Sequence, residues 1–515
     1  MQSKRDQVQA HMFVMGRLTS GLLRADPDAP ESPQGRTNRG IAISVIIALL
    51  ICAGSFVFGL LRPGTKDSWR ADGTLVVNKD TGGRYLYLDG RLRPVRNHTS
   101  ARLLLGPGMK TASVGSRSLG GTAHGAPVGI PGAPDELPGS LTDGPWQVCS
   151  ATDGAGTTAT ALAVGKDPGG AGLTTSQGLL VTAPDRTPYL VWRGGKLRLD
   201  MAGGAREALG YGARASLPVS AAFLNALPSG PDLTAPAVPG RGRPGPPLGG
   251  RDTRVGQVFQ VSAPGGAHRY HVLRQEGLTP VSATVAALLL GDPATRKQAY
   301  AGGAVSAVTL AASEVVGRLA PGTGGGAPGG LPDSPPTAVE PGVGDAPCVG
   351  IRSGADGTRV SVSLTDADGL GRPAQAPTEG LTPACVTVNR IVVPPGGGAL
   401  VHALGADGSD LGSTLYLVTD SGVKYRVPSA DALKALGYTT GQAQRLPSSL
   451  LSMLPTGPDL TASAAISGRA TATTPQCEAF GGKTRNRCQA QLVPTNGVST
   501  FEEHLRKSPR RSSGL

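Results

Sequence analysis

The sequence predicts an α+β protein that crosses a membrane once. An N-terminal cytoplasmic helix precedes the span, and beyond it a central β-sheet domain is flanked by four small hairpin-plus-helix repeats. Three observations carry this reading. Gly40 to Leu61, "GIAISVIIALLICAGSFVFGLL", is uncharged between Arg39 and Arg62. "ALGYGARASLPVSAAFLNALPSGPDLTAPA" (Ala208 to Ala237) aligns without net gaps with "ALGYTTGQAQRLPSSLLSMLPTGPDLTASA" (Ala435 to Ala464). Finally, "TLVVNKDTGGRYLYLDGRLRPVRNHTSARLLLG" (Thr74 to Gly106) resembles "VFQVSAPGGAHRYHVLRQEGLTPVSATVAALLLG" (Val258 to Gly291).

The first element lies in "SKRDQVQAHMFVMGRLTSGLLRADPD". Val8, Met12, Met15, Leu18 and Leu22 recur at three- and four-residue steps, which places one apolar stripe on a helix. Asp26, Pro27 and Pro30 end it. A helix with one apolar face and no domain around it needs a surface, either the inner leaflet or a docking partner, and docking is the preferred reading.

The uncharged run follows, and as a helix it is about 33 Å long, enough to cross a bilayer core. The residues before it argue against a cleaved signal peptide, so it reads as a retained anchor. Arg24, Arg36 and Arg39 on one side balance Arg62, Lys66, Arg70 and Lys79 on the other, so flanking charge does not set the orientation. The bulk of the chain, and the cysteines within it, favour an external C-terminal region.

Beyond the anchor the sequence divides into repeat 1 (62–106), a linker with the first part of the central domain (107–182), repeat 2 (183–237), a Gly/Pro linker (238–254), repeat 3 (255–293), a linker with the second part of the central domain (294–411), repeat 4 (412–465) and a tail (466–515). In each repeat two strand-like pieces lead through a Pro turn to a short helix, which covers a hairpin too small to stand alone. "PWQVCSA", "TRVSVSLTDA", "ACVTVNRIVV" and "ALVHALG" are expected to form the central sheet. Gly (77) and Pro (44) approach a quarter of the 515 residues while aromatics make up 4%, which suits modules joined by linkers rather than one large core.

The net charge of +13 is spread without a basic-aromatic stripe, so no nucleic-acid partner is expected. Cys52 lies in the anchor; Cys149, Cys348, Cys385, Cys477 and Cys488 are widely spaced, with no zinc pattern. Outside the cytoplasm they read as disulfide formers, five being odd. Cys477 and Cys488 are expected to close a local loop. That loop contains "CEAFGGKT" (Cys477 to Thr484), which misses the first glycine of a phosphate loop and lacks the strand and helix that would shape one. "HRYH" puts His268 and His271 on opposite faces of a strand, poor geometry for a metal. No catalytic, metal or cofactor residues are assigned.

The N-terminal motif, the anchor about 15 residues later, "GIPGAPDELP" (Gly129 to Pro138) and the paired "LP[ST]GPDLT" together resemble EccB, the membrane component B of the type VII (ESX) secretion systems of actinobacteria. The resemblance covers about residues 3–465; the tail, with its basic "RKSPRRSSG", has no counterpart. It implies a subunit of a large membrane complex whose partners are EccC-, EccD- and EccE-like proteins and a mycosin protease, with a central β domain flanked by four similar repeats. It also implies a central-domain disulfide, best matched by Cys149 and Cys348. Cys385 is then the odd thiol, or alternatively the partner of Cys348. ATPase activity is attributed to the family, but this chain has no intact phosphate loop. A structural subunit is the leading reading; an ATP-hydrolysing component and a peptidoglycan-binding module are the alternatives.

Overall fold

The computed structural model describes residues 3–25, 33–61 and 67–471, apart from 153–156, 168, 263–267, 322–329, 355–356, 367–368, 370, 376–379 and 406. At its start are two long helices, α1 (Lys4–Arg24) and α2 (Pro33–Leu61). Ser3 and Asp6 form a capping box at the start of α1, and Ala25 ends it in the left-handed conformation. Within α2, Thr37–Phe58 is long and apolar enough to cross a membrane, and it is the one such segment among the described residues. The helix begins before the apolar run because Pro33 is tolerated in a first turn.

Four small sheets follow, and each has the same strand order. Repeat 1 contains β1 (Thr74–Asn78), β2 (Arg84–Leu88), β3 (Arg91–Pro94), α3 (His98–Leu105), β4 (Lys110–Val114) and α4 (Ser116–Leu119). Its sheet runs β3-β2-β1-β4, with β4 parallel to β1. Between repeats 1 and 2 come β5 (Ser140–Leu141), β6 (Trp146–Thr152), β7 (Thr158–Val164) and β8 (Ala171–Gly172). Repeat 2 holds β9 (Gln177–Thr182), β10 (Pro188–Trp192), β11 (Gly195–Arg198), α5 (Ala205–Ala208), β12 (Leu217–Pro218) and α6 (Ala221–Asn225), in the order β11-β10-β9-β12.

A ribbon of β13 (Pro244–Leu248) and β14 (Arg251–Arg254) precedes repeat 3. Repeat 3 has β15 (Val258–Ser262), β16 (His268–Arg274), β17 (Gly277–Val281), α7 (Ala283–Gly291), α8 (Pro293–Gln298), β18 (Val308–Leu310) and α9 (Ala312–Val315), in the order β17-β16-β15-β18. Next are β19 (Thr337–Val339), β20 (Asp345–Gly354), β21 (Gly357–Asp366) and β22 (Arg390–Val392). Repeat 4 closes the fold with β23 (Gly397–Leu404), β24 (Asp410–Val418), β25 (Lys424–Val427), α10 (Ala430–Leu436), β26 (Gln444–Pro447), α11 (Ser448–Leu451) and α12 (Ala462–Ser467), in the order β25-β24-β23-β26.

The repeat is therefore a three-stranded meander, a helix, and a fourth strand parallel to the first, rather than a hairpin, a Pro turn and a helix. The Leu-x-Pro-Val pieces are the third strands β3 and β17, because a proline near the end of an edge strand forfeits little ladder bonding. Two boundaries move accordingly: repeat 2 begins at Gln177, not at 183, and repeat 4 at Gly397, not at 412. "ALVHALG" is β23, the first strand of repeat 4, and not a member of the central sheet. Leu415–Val418 is then a second strand, equivalent to β10. The stretch expected to be a Gly/Pro linker, 238–254, holds the β13–β14 ribbon, pinned by Leu248 at 1% exposure.

The central sheet runs β22-β7-β6-β20-β21-β8. Trp146, Val148, Leu162, Val164, Val349 and Ile351 on its inner face share one core with Leu179, Val181 and Phe223 of repeat 2 and Leu446, Leu450 and Met453 of repeat 4. The outer repeats attach through helices. Leu103 of α3 enters the core of repeat 4, and Leu288 of α7 enters that of repeat 2.

Candidate functional site

Three places concentrate the features singled out by sequence. The first is α1. Val8, Met12, Met15, Leu18 and Leu22 lie 51–83% exposed along it, so an apolar stripe faces away from the rest of the described chain. Phe13 and Val14, exposed at 65% and 53%, widen the stripe, and Arg17 stacks over the Phe13 ring at 5.4 Å. The sequence reading passed over both because they fall between the three- and four-residue steps.

The second is the central disulfide. Cys149 on β6 and Cys348 on β20 sit directly opposite in the antiparallel register and are bonded, S–S 2.05 Å, across 199 residues of sequence. Both are fully buried, beside Ala161 of β7. Cys385 is also disulfide-bonded, so it is neither an odd thiol nor the partner of Cys348, which Cys149 occupies. Cys477 and Cys488, expected to close a local loop, lie outside the described residues. The "CEAFGGKT" loop itself lies outside the described residues, and among those described no His, Cys, Asp and Glu cluster could hold a metal.

The third is the pair of "LP[ST]GPDLT" segments, which form straps along the outer edges of β11 and β25. In repeat 2 the Lys196 amide donates to Pro228 O (2.9 Å), the Gly230 amide to Lys196 O (2.9 Å) and the Leu233 amide to Arg198 O (2.7 Å). Repeat 4 copies this: Lys424 N to Pro455 O (3.0 Å), Gly457 N to Lys424 O (2.9 Å) and Leu460 N to Arg426 O (2.8 Å). Glycine is needed because a Cβ would lie 2.5 Å from Leu197 at Gly230 and 2.2 Å from Tyr425 at Gly457. The aspartate of each strap pairs with an arginine of the strand beneath, Asp232 with Arg198 and Asp459 with Arg426. A lysine on the same strand reaches the carbonyls ending the preceding helix, Lys196 to Leu224 and Lys424 to Leu451 and Leu454. Burial pushes the Lys424 ammonium down to about 8.

The other repeated motif, "ALGY", is also structural. Its tyrosines donate to proline carbonyls, Tyr211 to Pro336 (2.7 Å) and Tyr438 to Pro138 (2.9 Å). Pro138 ends "GIPGAPDELP", whose Ile130 is fully buried and bonded to Asn97 and Ser100 at the start of α3. That motif thus ties repeat 1 to repeat 4.

The family model described as type VII secretion system ESX-1, transport TM domain B, matches residues 1–474. The protein called ESX-3 secretion system ATPase EccB3 from Mycolicibacterium smegmatis is 30% identical over 473 residues, covering 89% of each chain. ESX-1 secretion system ATPase EccB1 from Mycobacterium tuberculosis H37Rv is 29% identical over 472 residues, covering 89% of this chain and 93% of its own. Among solved structures, an EccB3 dimer from the ESX-3 core complex superposes with a TM-score of 0.60 at 28% identity, covering 76% of this chain and 99% of that one. A chain of an intact ESX-5 inner membrane complex shares the fold, with a TM-score of 0.61 at 23% identity over 94% of this chain and 98% of that one. This chain belongs to the EccB family of type VII (ESX) secretion proteins.

Proposed function

We propose that the chain is a membrane-anchored structural subunit of a type VII secretion complex, with α2 as a single span, α1 docking partners in the cytoplasm and the repeats forming an external scaffold. The observation that carries this is one uninterrupted correspondence: the family match runs through α1, α2 and all four repeats. The Cys149–Cys348 disulfide supports the orientation, since such bonds persist in oxidising compartments and not in the cytosol. The stripe of Val8, Met12, Met15, Leu18 and Leu22, exposed beside no domain of its own, supports docking on EccC-, EccD- or EccE-like subunits.

Purification of the tagged chain from its native membrane in mild detergent tests the reading. Co-elution of other ESX membrane subunits is expected, and recovery of the chain alone at monomer size overturns it. The word ATPase belongs to the names of the relatives. Hydrolysis by the purified full-length chain that Lys483→Ala abolishes would replace the structural reading with an enzymatic one.

A further inference from the structure

Repeats 2 and 4 carry the same strap, which makes each a control for the other. Three backbone bonds from strap to strand match one for one, as do the lysine and the Arg–Asp clasp; repeat 2 adds a fourth, Asp200 N to Leu233 O (3.2 Å), where Pro428 of repeat 4 has no N–H to give. What differs is the covering. In repeat 4 the outer edge of the strap is itself paired: Thr382 N donates to Thr456 O (2.8 Å) and Thr456 N to Thr382 O (2.9 Å), and one turn earlier Val386 N donates to Ser452 O (3.0 Å). Thr456 is 2% exposed there, and the clasp between Arg426 and Asp459 is 22% and 11% exposed; the flanking leucines do not differ, Leu227 and Leu233 being buried as Leu454 and Leu460 are.

Among the described residues no backbone bond pairs the outer edge of the repeat 2 strap, although Gly330 packs against the Pro231 ring. Ser229 stands where Thr456 does, is exposed, and has no partner for its amide or carbonyl among the described residues. Pro228, Gly230, Pro231 and Asp232 are exposed with it. The clasp between Arg198 and Asp232 is 57% and 41% exposed, where water weakens an ion pair. Lys196 holds one carbonyl, where Lys424 holds two.

We infer that the repeat 2 strap, Pro228–Leu233, is a latch that opens while the rest of repeat 2 stays folded, and that the repeat 4 strap is its permanently closed counterpart. Opening breaks four backbone bonds and bares the outer edge of β11 and the residues just after it, so that the Lys196 and Asp200 amides and the Lys196 and Arg198 carbonyls become available to an extended chain. The proline at either side of Ser229 and Gly230 keeps the released strap from joining a sheet elsewhere.

Hydrogen exchange on the full-length protein in detergent, read by mass spectrometry, tests this. Peptides holding Lys196, Gly230 and Leu233 are expected to exchange on the order of 100-fold faster than those holding Lys424, Gly457 and Leu460, after correction for intrinsic rates, because repeat 4 keeps about four further hydrogen bonds on its strap. Peptides from β9 and β10 are expected to stay protected. Asp232→Asn is expected to speed the repeat 2 strap further and leave β9 and β10 unchanged. Equal exchange of the two straps overturns the inference, as does a repeat 2 strap that exchanges only together with β9 and β10, or one that Asp232→Asn leaves unmoved.

Discussion

Lys424 is a cation held by the carbonyls of Leu451 and Leu454. Its proton leaves at about 8 in the fold against 10.5 when the chain is unfolded. Between those values the unfolded chain binds the extra proton, so stability rises with pH across that window. Denaturation at pH 7.5 and 9.5 is expected to show a gain of about 2 kcal/mol in the native protein that Lys424→Met lacks. Lys196 titrates in the same direction, so the difference between the two proteins isolates Lys424. Gly457 makes a second prediction at this scale. A methyl there meets the Tyr425 ring at 2.2 Å, and Tyr425 is 1% exposed with little room to turn. Gly457→Ala is expected to cost about 1–3 kcal/mol, read as a lowered denaturation midpoint. Neither role shows in the sequence, where Lys424 and Lys196 differ by one register position from the gapless alignment of the flanking motifs.

At the scale of elements, the sequence was most legible where it repeats. The 227-residue offset between the two straps, the helices leading into "ALGY" and a two-stranded hairpin in each repeat could be read, because each carries an apolar period or a turn signal. The prolines of β3 and β17, by contrast, made those third strands read as turns. The fourth strands could not be read. β12 is two residues long and β26 four, and a strand that short has no period. β23 was assigned to the wrong sheet for a related reason: seven of its eight residues are buried, so no polar alternation tells one sheet from another. In the candidate site, the α1 stripe was visible as spacing, whereas the strap clasps were not, since each joins residues about 33 apart through tertiary contact. The central disulfide makes the prediction here. It closes a very long loop between adjacent strands, so the Cys149→Ala/Cys348→Ala pair is expected to lose about 2–4 kcal/mol in denaturation. The native protein is expected to lose at least as much under reducing conditions once its chain has been opened by denaturant, because the Cys385 bond is reduced as well.

At the scale of the whole molecule, assembly and folding occupy different parts of the chain, and they should be separable by mutation. Repeats 2 and 3 meet where α5 and α7 touch, and Gly291 permits it: a Cβ there would lie 2.3 Å from the Ala208 side chain and 3.5 Å from Gly204 O. Leu288, one turn earlier on α7, is 1% exposed in the core of repeat 2. Gly291→Val drives two methyls into that contact, and overpacking of this kind costs about 1–3 kcal/mol. The variant is expected to melt at a lower temperature and to lose exchange protection first in α5 and α7. Its capture of other membrane subunits in detergent is expected to persist, because the stripe on α1 is untouched. Met12→Asp with Leu18→Asp should do the reverse. Both positions are more than half exposed, so the fold loses almost nothing, while a charge on the stripe must be desolvated for a partner to dock. Melting at the native temperature together with loss of the co-purified subunits is the expected outcome. If the α1 variant keeps its partners and Gly291→Val sheds them, assembly runs through the external repeats and α1 has some other use.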